Sequence, residues 1–310
     1  SLFWNAPSDI AAVEAAGPGG KKDGRTYKQH EVTARRLAWT LLEVFQNGGV
    51  NDADFPAPLF DIVLEESVFN AFEGSDYLLH AAKTALRRPN ERFVFASTEK
   101  KTVQPLWRPR HVVWHRVALN LPRAAIKGES LTGFFAELER LCELAVAAHV
   151  QKRDFIELLL DPVGNAPLAA LALEHDGQPY ITADDGLFAV DVEGLHECAQ
   201  IIHGTGVVAA RKRLDFMESA LKHIVAAVEK FARSGGLQCI TAANANPIIG
   251  RRFATLDAGN YPRLVEKIVK TENETQAMSY RPGVALAADG GMSPLDLARA
   301  EGVFHALLGE

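Results

Sequence analysis

Residues Arg116 to Lys127 read RVALNLPRAAIK, an aliphatic and β-branched run that carries Asn120 and then meets Pro122. Such a run describes a strand covered on both faces, and a proline in its middle would delete a ladder hydrogen bond. The strand therefore has to end at Pro122-Arg123, leaving Asn120 at its buried end. An amide taken out of water without partners costs about 2 kcal/mol or more, so Asn120 needs hydrogen bonds from backbone, ligand or water. Two uses fit this demand: a structural asparagine that ties down a loop, and an amide that reads a ligand.

The rest of the chain sets the frame for that strand. With 310 residues, 47% of them hydrophobic, it can bury one large core, a length that single-domain α/β barrels reach. A net charge of −6, with 33 basic residues scattered along the chain, argues against a nucleic-acid surface, which needs clustered Lys and Arg. Pairs such as Arg35-Arg36 and the trio Arg211-Lys212-Arg213 read as solvated faces. No apolar run approaches the roughly 20 residues of a membrane span, and the first residues carry no basic stretch followed by an apolar one. A soluble, cytoplasmic protein is expected. Cys142, Cys198 and Cys239 lack CxxC spacing, so neither a disulfide framework nor structural zinc is expected. Cys142 and Cys198 occupy apolar positions of helical patterns, whereas Cys239 opens a strand and could face a pocket.

Helical and strand-like patterns alternate along the chain. Residues 15–27 are rich in glycine and lysine and read as a loop within an irregular amino-terminal segment of about 30 residues. From Glu31 the spacing of Leu37, Leu41, Val44 and Phe45 predicts an amphipathic helix stopped by glycines. Pro56 and Pro58 force extended backbone before an LFDIV strand. A second helix is expected from Ser67 to Arg88, then a proline-interrupted stretch over residues 93–115 with two strand-like runs around a charged loop. Leu131 to Leu160 predicts a long helix whose core face carries Phe134, Phe135, Leu138, Leu141, Leu144, Ala145 and Ala148. Strand-like pieces around Gly177, a helix from Gly194 to His203, a helix over Leu214 to Arg233 and a strand over Gln238 to Ala243 follow. Strands separated by helices of this length imply crossover units and parallel pairing, in a single domain over residues 1–310.

Few residues carry obvious chemistry. The turn Asn244-Ala245-Asn246-Pro247, between a strand and a helix beginning near Ile248, would aim helix N–H groups at a phosphate or carboxylate, with Arg251 and Arg252 as counter-charge. The same turn also reads as an ordinary helix cap. Arg123 is balanced between a pocket residue and a structural ion pair. No GxGxxG, GxxxxGK[ST] or HExxH occurs, which removes the dinucleotide, P-loop and zincin readings and leaves no cofactor motif in this chain. His111 and His115 lie in extended sequence and would not share a helical face; His196 and His203 read as structural or solvent-facing.

Taken in order, the segments LLEVFQNGGVNDADFPAPLFDI (41–62), RVALNLPRAAIKG (116–128), GLFAVDVEGLHECAQIIHG (186–204), QCITAANANPIIGRRFATLD (238–257) and the final stretch from Met278 to Glu310 resemble successive blocks of the anaerobic, glycyl-radical ribonucleoside-triphosphate reductases. The resemblance implies a ten-stranded α/β barrel, incomplete at both ends, with a finger loop threaded through it. It places nucleotide in the barrel mouth and residues 244–247 near the substrate phosphates. Asn120, Asn244, Asn246, Arg251 and Arg252 would then line a site for a nucleoside triphosphate or another phosphorylated small molecule. A homodimer stays open.

Departures from the family pattern bear on activity. The family forms a thiyl radical on a finger-loop cysteine that precedes the Asn-Leu-Pro-Arg strand, and residues 89–116 contain no cysteine. Ser97 and Thr98 cannot replace it, because their O–H bonds are too strong for a reversible hydrogen-atom carrier. The glycyl-radical segment and the cysteine-rich zinc site that precedes it do not occur either. The expectation is a relative of the reductases that lacks the radical residues in this chain, as an excerpt of a longer protein or as a paralogue. The alternatives are a non-catalytic nucleotide- or phosphate-binding paralogue and an assembly protein on the same fold.

Overall fold

The computed structural model describes residues 2–308, apart from residues 9, 51–54, 56–59, 71, 88–90, 96–111, 165, 176, 205–209, 244–246, 270–277 and 288–291. The chain divides into two compact units, Ser1–Leu106 and Trp107–Glu310. In the first unit, β1 (Leu2–Phe3), β4 (Phe60–Leu64) and β5 (Glu91–Phe95) form a parallel sheet in the order β1-β4-β5, while β2 (Glu14–Ala16) and β3 (Lys22–Thr26) form an antiparallel pair. Helices α1 (Glu31–Asn47), α2 (Glu66–Asn70) and α3 (Phe72–Arg87) complete it. Ala38, Leu42 and Phe45, at i, i+4 and i+7 of α1, pack with Ile62, Leu64, Val68, Tyr77 and Ala81. Trp4 stacks on Tyr77 at 4.8 Å, and Arg35 lies over its ring while donating Nε to the Trp4 carbonyl at 2.9 Å.

The second unit is built on β6 (Val113–Asn120), β9 (Leu187–Glu193) and β10 (Cys239–Ala243), a parallel sheet in the order β10-β9-β6. The crossover from β6 to β9 runs through α4 (Leu121–Gly128), α5 (Leu131–Leu160) and a short hairpin of β7 (Glu174–His175) and β8 (Gln178–Pro179). That from β9 to β10 runs through α6 (Leu195–His203) and α7 (Ala210–Ser234); α8 (Pro247–Asn260), α9 (Pro262–Ile268) and α10 (Pro294–Leu307) follow. Strand alternation splits the sheet's chemistry in two. Leu119, Val190 and Val192 pack into the main core with Phe134, Leu138, Cys142, Leu195, Cys198 and Leu221. On the opposite face the register sets Ala118 beside Asp191 and Ala242, and Asn120 beside Glu193.

The described strands form two three-stranded and two two-stranded sheets, which do not by themselves show a ten-stranded barrel. Other expectations need correction. The strand buried on both faces is β9, with every residue from Phe188 to Glu193 buried; β6 is half-buried and lies at a sheet edge. Residues 14–26 form a β-pair with a bulge rather than a plain loop, because Gly19, Gly20 and Gly24 take positive φ and let the chain double back. In α1 the buried stripe is offset by one residue from the expected one: Leu37 and Val44 are exposed, and Ala38 and Leu42 face inward. In α5 the same holds for Leu144, which is exposed, while Cys142 and His149 are buried.

Candidate functional site

Asn120 links strand, helix and neighbour. As the N-cap of α4 it accepts the Arg123 N–H through Oδ1 at 3.0 Å, and Pro122, in the first turn, needs no backbone donor there. The proline that ends the strand thus also starts a helix. The other end of the amide, Nδ2, donates to Asp257 Oδ2 at 2.9 Å. Asp257, fully buried on α8, also takes Nε and a terminal nitrogen of Arg123 through Oδ1, and the Tyr280 hydroxyl through Oδ2 at 3.0 Å. A carboxylate removed from water is tolerable only with such a set of charged and neutral donors. Burial, and then the charge and hydrogen bond of Asp257, hold the Tyr280 phenol well above its ordinary value, so it stays a donor.

Beside this knot lies a cleft of about 270 Å³. Asn120, Arg123, Lys127 and Glu137 supply its polar groups and Val117, Leu119, Leu141, Leu144, Ala145 and Phe253 its apolar wall. Glu137 is held below the usual carboxylate range mainly by its hydrogen bond from Arg140 and further by Lys127. Lys127 stands 3.8 Å from Glu137 and is about half exposed, at the rim of the cleft.

The sheet face shared with Asn120 carries more buried charge. Asp191, fully buried, receives Arg116 in a two-pronged contact, Nε to Oδ2 at 3.0 Å and Nη2 to Oδ1 at 2.6 Å. Glu193, also fully buried, accepts the Gly283 N–H through Oε2 at 3.3 Å, while Oε1 has no hydrogen-bond partner among the described residues. Burial pushes its carboxyl up to about 8; the Gly283 N–H opposes this, and Glu197 and Asp191 add to it. Gly194, next in sequence, has φ +73°, and a side chain there would press on the Pro122 ring, which is how the start of α6 packs against the start of α4.

Of the residues singled out in the sequence, Asn120 and Arg123 come together at Asp257 and the cleft. Arg251 and Arg252 are exposed in the first turns of α8, off the Gly250–Ala254–Asp257 stripe that faces inward. Asn244, Asn246 and His111 lie outside the described residues. Asp191, Glu193, Asp257 and Tyr280 were missed, although DVE inside an otherwise apolar strand is a readable signal of buried carboxylates needing partners. His115 and His149 meet Nδ1 to Nδ1 at 3.1 Å beside Phe188, away from this face.

The cysteines are elsewhere. Cys142 and Cys198 are in the helix-side core, and Cys239 shares a strand face with Thr241 and Ala243, packing against that same core. Burial pushes Cys142 up to about 12 and Cys239 up to about 11, and holds Cys198 well above the ordinary thiol value. Among the described residues no three His, Cys, Asp or Glu side chains gather as a metal donor set, and no helix is long and apolar enough to cross a membrane.

Comparison with known proteins places the chain in a family. The family model for anaerobic ribonucleoside-triphosphate reductase matches residues 3–309. The anaerobic ribonucleotide reductase of Thermotoga maritima with glycerol in the active site is similar in structure, with a TM-score of 0.61 at 13% identity, over 99% of this chain and 49% of that one. The same enzyme in complex with dATP and CTP gives a TM-score of 0.61 at 13% identity, over 96% and 49%. A further anaerobic ribonucleotide reductase gives 0.59 at 14%, over 95% and 46%. The chain spans about half the length of these structures, and at such identities the likeness speaks to the fold. A sequence search of curated proteins finds no match. Matched by the family model over nearly its whole length, and similar in fold to solved reductases, the chain belongs to the anaerobic ribonucleoside-triphosphate reductase family.

Proposed function

We propose that this chain is a nucleotide-binding member of the family that does not, by itself, reduce ribonucleotides. The observation that carries the second half is where sulfur lies. Residues 89–116 contain no cysteine, and the three cysteines present pack against the helix-side core, with none on the sheet face that carries Asn120, Asp191 and Glu193. Abstracting a ribose hydrogen atom requires a sulfur radical beside the sugar, with a new S–H bond replacing the C–H bond broken.

Binding is supported by the knot at Asp257. It holds Asn120 and Arg123 at the carboxyl end of a parallel strand, the end at which open α/β sheets receive ligands. The complex of the Thermotoga maritima relative with dATP and CTP points to the ligand class, a nucleoside triphosphate. Asn244 and Asn246 serve the phosphates in this reading, and Arg251 and Arg252 supply counter-charge from the solvent side. The ten-stranded barrel and the single-domain organisation belong to the same proposal and rest on family membership.

Isothermal titration with ribonucleoside triphosphates tests it. Saturable heat that weakens about tenfold in Asn120→Ala, as expected for one lost hydrogen bond of roughly 1.4 kcal/mol, supports the site. No heat at millimolar ligand, or full affinity in both Asn120→Ala and Asn246→Ala, overturns it. Deoxyribonucleotide formation by the chain alone after anaerobic activation overturns the claim that it is silent.

A further inference from the structure

The segment from Ser279 to Ala287 is a strap tied down by carboxylates. The Gly283 N–H donates to Glu193, the Arg281 N–H donates to Glu197 at 3.3 Å, and the Arg281 carbonyl receives the Gly194 N–H at 3.0 Å. Glu193 also forms an isolated antiparallel bridge with Pro282. On α8, the Gly250 carbonyl receives the Tyr280 N–H at 3.2 Å, and further along the Ala287 N–H lies 3.5 Å from His196 Nδ1. Gly283 and Val284 are buried under these contacts.

Charge counting singles out one of the carboxyls. Asp191 faces Arg116, Asp257 faces Arg123 and the Tyr280 hydroxyl, and Glu197 on α6 faces Arg281 at 3.9 Å. Each of these guanidiniums is thereby matched to a carboxylate, and among the described residues Glu193 faces none. Its Oε1 lies so close to Gly250 that a Cβ there would stand 2.6 Å away, and among the described residues that oxygen has no hydrogen-bond partner. A buried carboxyl without a cation, next to Asp191 and Glu197, keeps its proton. We propose that Glu193 is a proton-dependent latch: as a neutral acid it lets the strap close on the junction of β9 and α6, and its ionisation, with the proton lost to solvent, loosens the strap. Because Tyr280 sits on the strap and donates to Asp257, opening also withdraws one of the groups that fixes Asn120 and Arg123.

The direction follows from linkage. With the strap closed, burial raises the Glu193 carboxyl to about 8 against the opposing Gly283 N–H, whereas in an open, hydrated state it approaches the ordinary value of about 4.3. Closure is therefore strongest below about pH 4.3, weakens as pH rises between the two values, and levels off above the upper one. The latch does not depend on nucleotide binding, so it is measured in the free chain.

Hydrogen exchange of the Gly283 and Arg281 amides, corrected for intrinsic rates and read from pH 5.5 to 8, gives the opening constant. The expected result is a rise of up to about tenfold per pH unit in the wild type and a flat profile in Glu193→Gln, with the Leu221 amide of α7 unaffected in both. The same slope in Glu193→Gln, or a flat wild-type profile, overturns the latch. Should Glu193→Gln not fold, ¹³C labelling of the glutamate carboxyls in the wild type decides. One carboxyl titrating near pH 8 supports the latch, and all titrating in the ordinary range refutes it.

Discussion

Replacing Asp257 with alanine should unlock the candidate site and cost more than any other single polar change in the second unit. The carboxylate is fully buried and accepts from Asn120 Nδ2, two nitrogens of Arg123 and the Tyr280 hydroxyl. Breaking a buried ion pair by removing one partner costs about 3–5 kcal/mol, because the other charge is left uncompensated. Arg123 retains about a quarter of its side-chain exposure, so water can recover part of that loss and the lower end applies. The stranded Tyr280 hydroxyl adds about 1 kcal/mol or more. The sum is about 4 kcal/mol, a large share of the roughly 5–15 kcal/mol by which domains are stable. Asp257→Asn keeps the shape and one acceptor and should cost about half as much. Exchange-detected opening of residues 113–128 measures both variants, and a double-mutant cycle with Arg123→Gln isolates the pair. A cost below about 1 kcal/mol for Asp257→Ala, or additive single effects in the cycle, would refute the knot.

Other substitutions separate backbone, packing and charge effects. Gly194→Ala should destabilise by about 2 kcal/mol or more, since it forces a left-handed backbone and meets the Pro122 ring; Gly259→Ala, in open space on α8, should be neutral or stabilising by up to about 1 kcal/mol in the same urea titration. Leu138→Ala should cost about 2–5 kcal/mol and Leu144→Ala well under about 1, because the first is fully buried and the second is 53% exposed; equal costs would mean that α5 is turned the other way. Burial, and then the charge of His115, lower His149 to about 4. Its neutral form thus contributes stability that is complete above about pH 6.5 and lost as pH falls toward 4. His149→Phe should flatten unfolding free energy across that window, and an unchanged slope would clear His149 of the effect.

Much of the fold is legible because period and punctuation agree. Prolines, glycines and the 3.6-residue repeat locate α1, α5, α6 and α7 to within a few residues. The face a helix buries is less legible: in α1 both Leu37 and Leu42 are apolar, and only packing against Phe60 and Ile62 decides that Leu42 goes inside. The Asn-Leu-Pro-Arg run shows that an amide must be satisfied, but its principal partner, Asp257, lies 137 residues away, and no local pattern announces such a contact. Arg251 and Arg252 attract notice as adjacent cations, yet the side of α8 that faces inward presents Gly250, Ala254 and Asp257. In β9 the DVE triplet marks two carboxylates in an apolar run but not the side to which they face. Alternation in a fully buried strand carries no polar half to contrast with the apolar one, so carboxylates read as surface residues when they face an enclosed polar layer.

The proposed nucleotide site includes Asn120 and Arg123, held by Asp257 at the carboxyl end of β6. A crystal structure of the chain grown with a ribonucleoside triphosphate tests it most directly. Ligand density within hydrogen-bond reach of Asn120 or Arg123, with Asp257 still bound to both, is the predicted result; a fully occupied nucleotide that touches neither residue would contradict it.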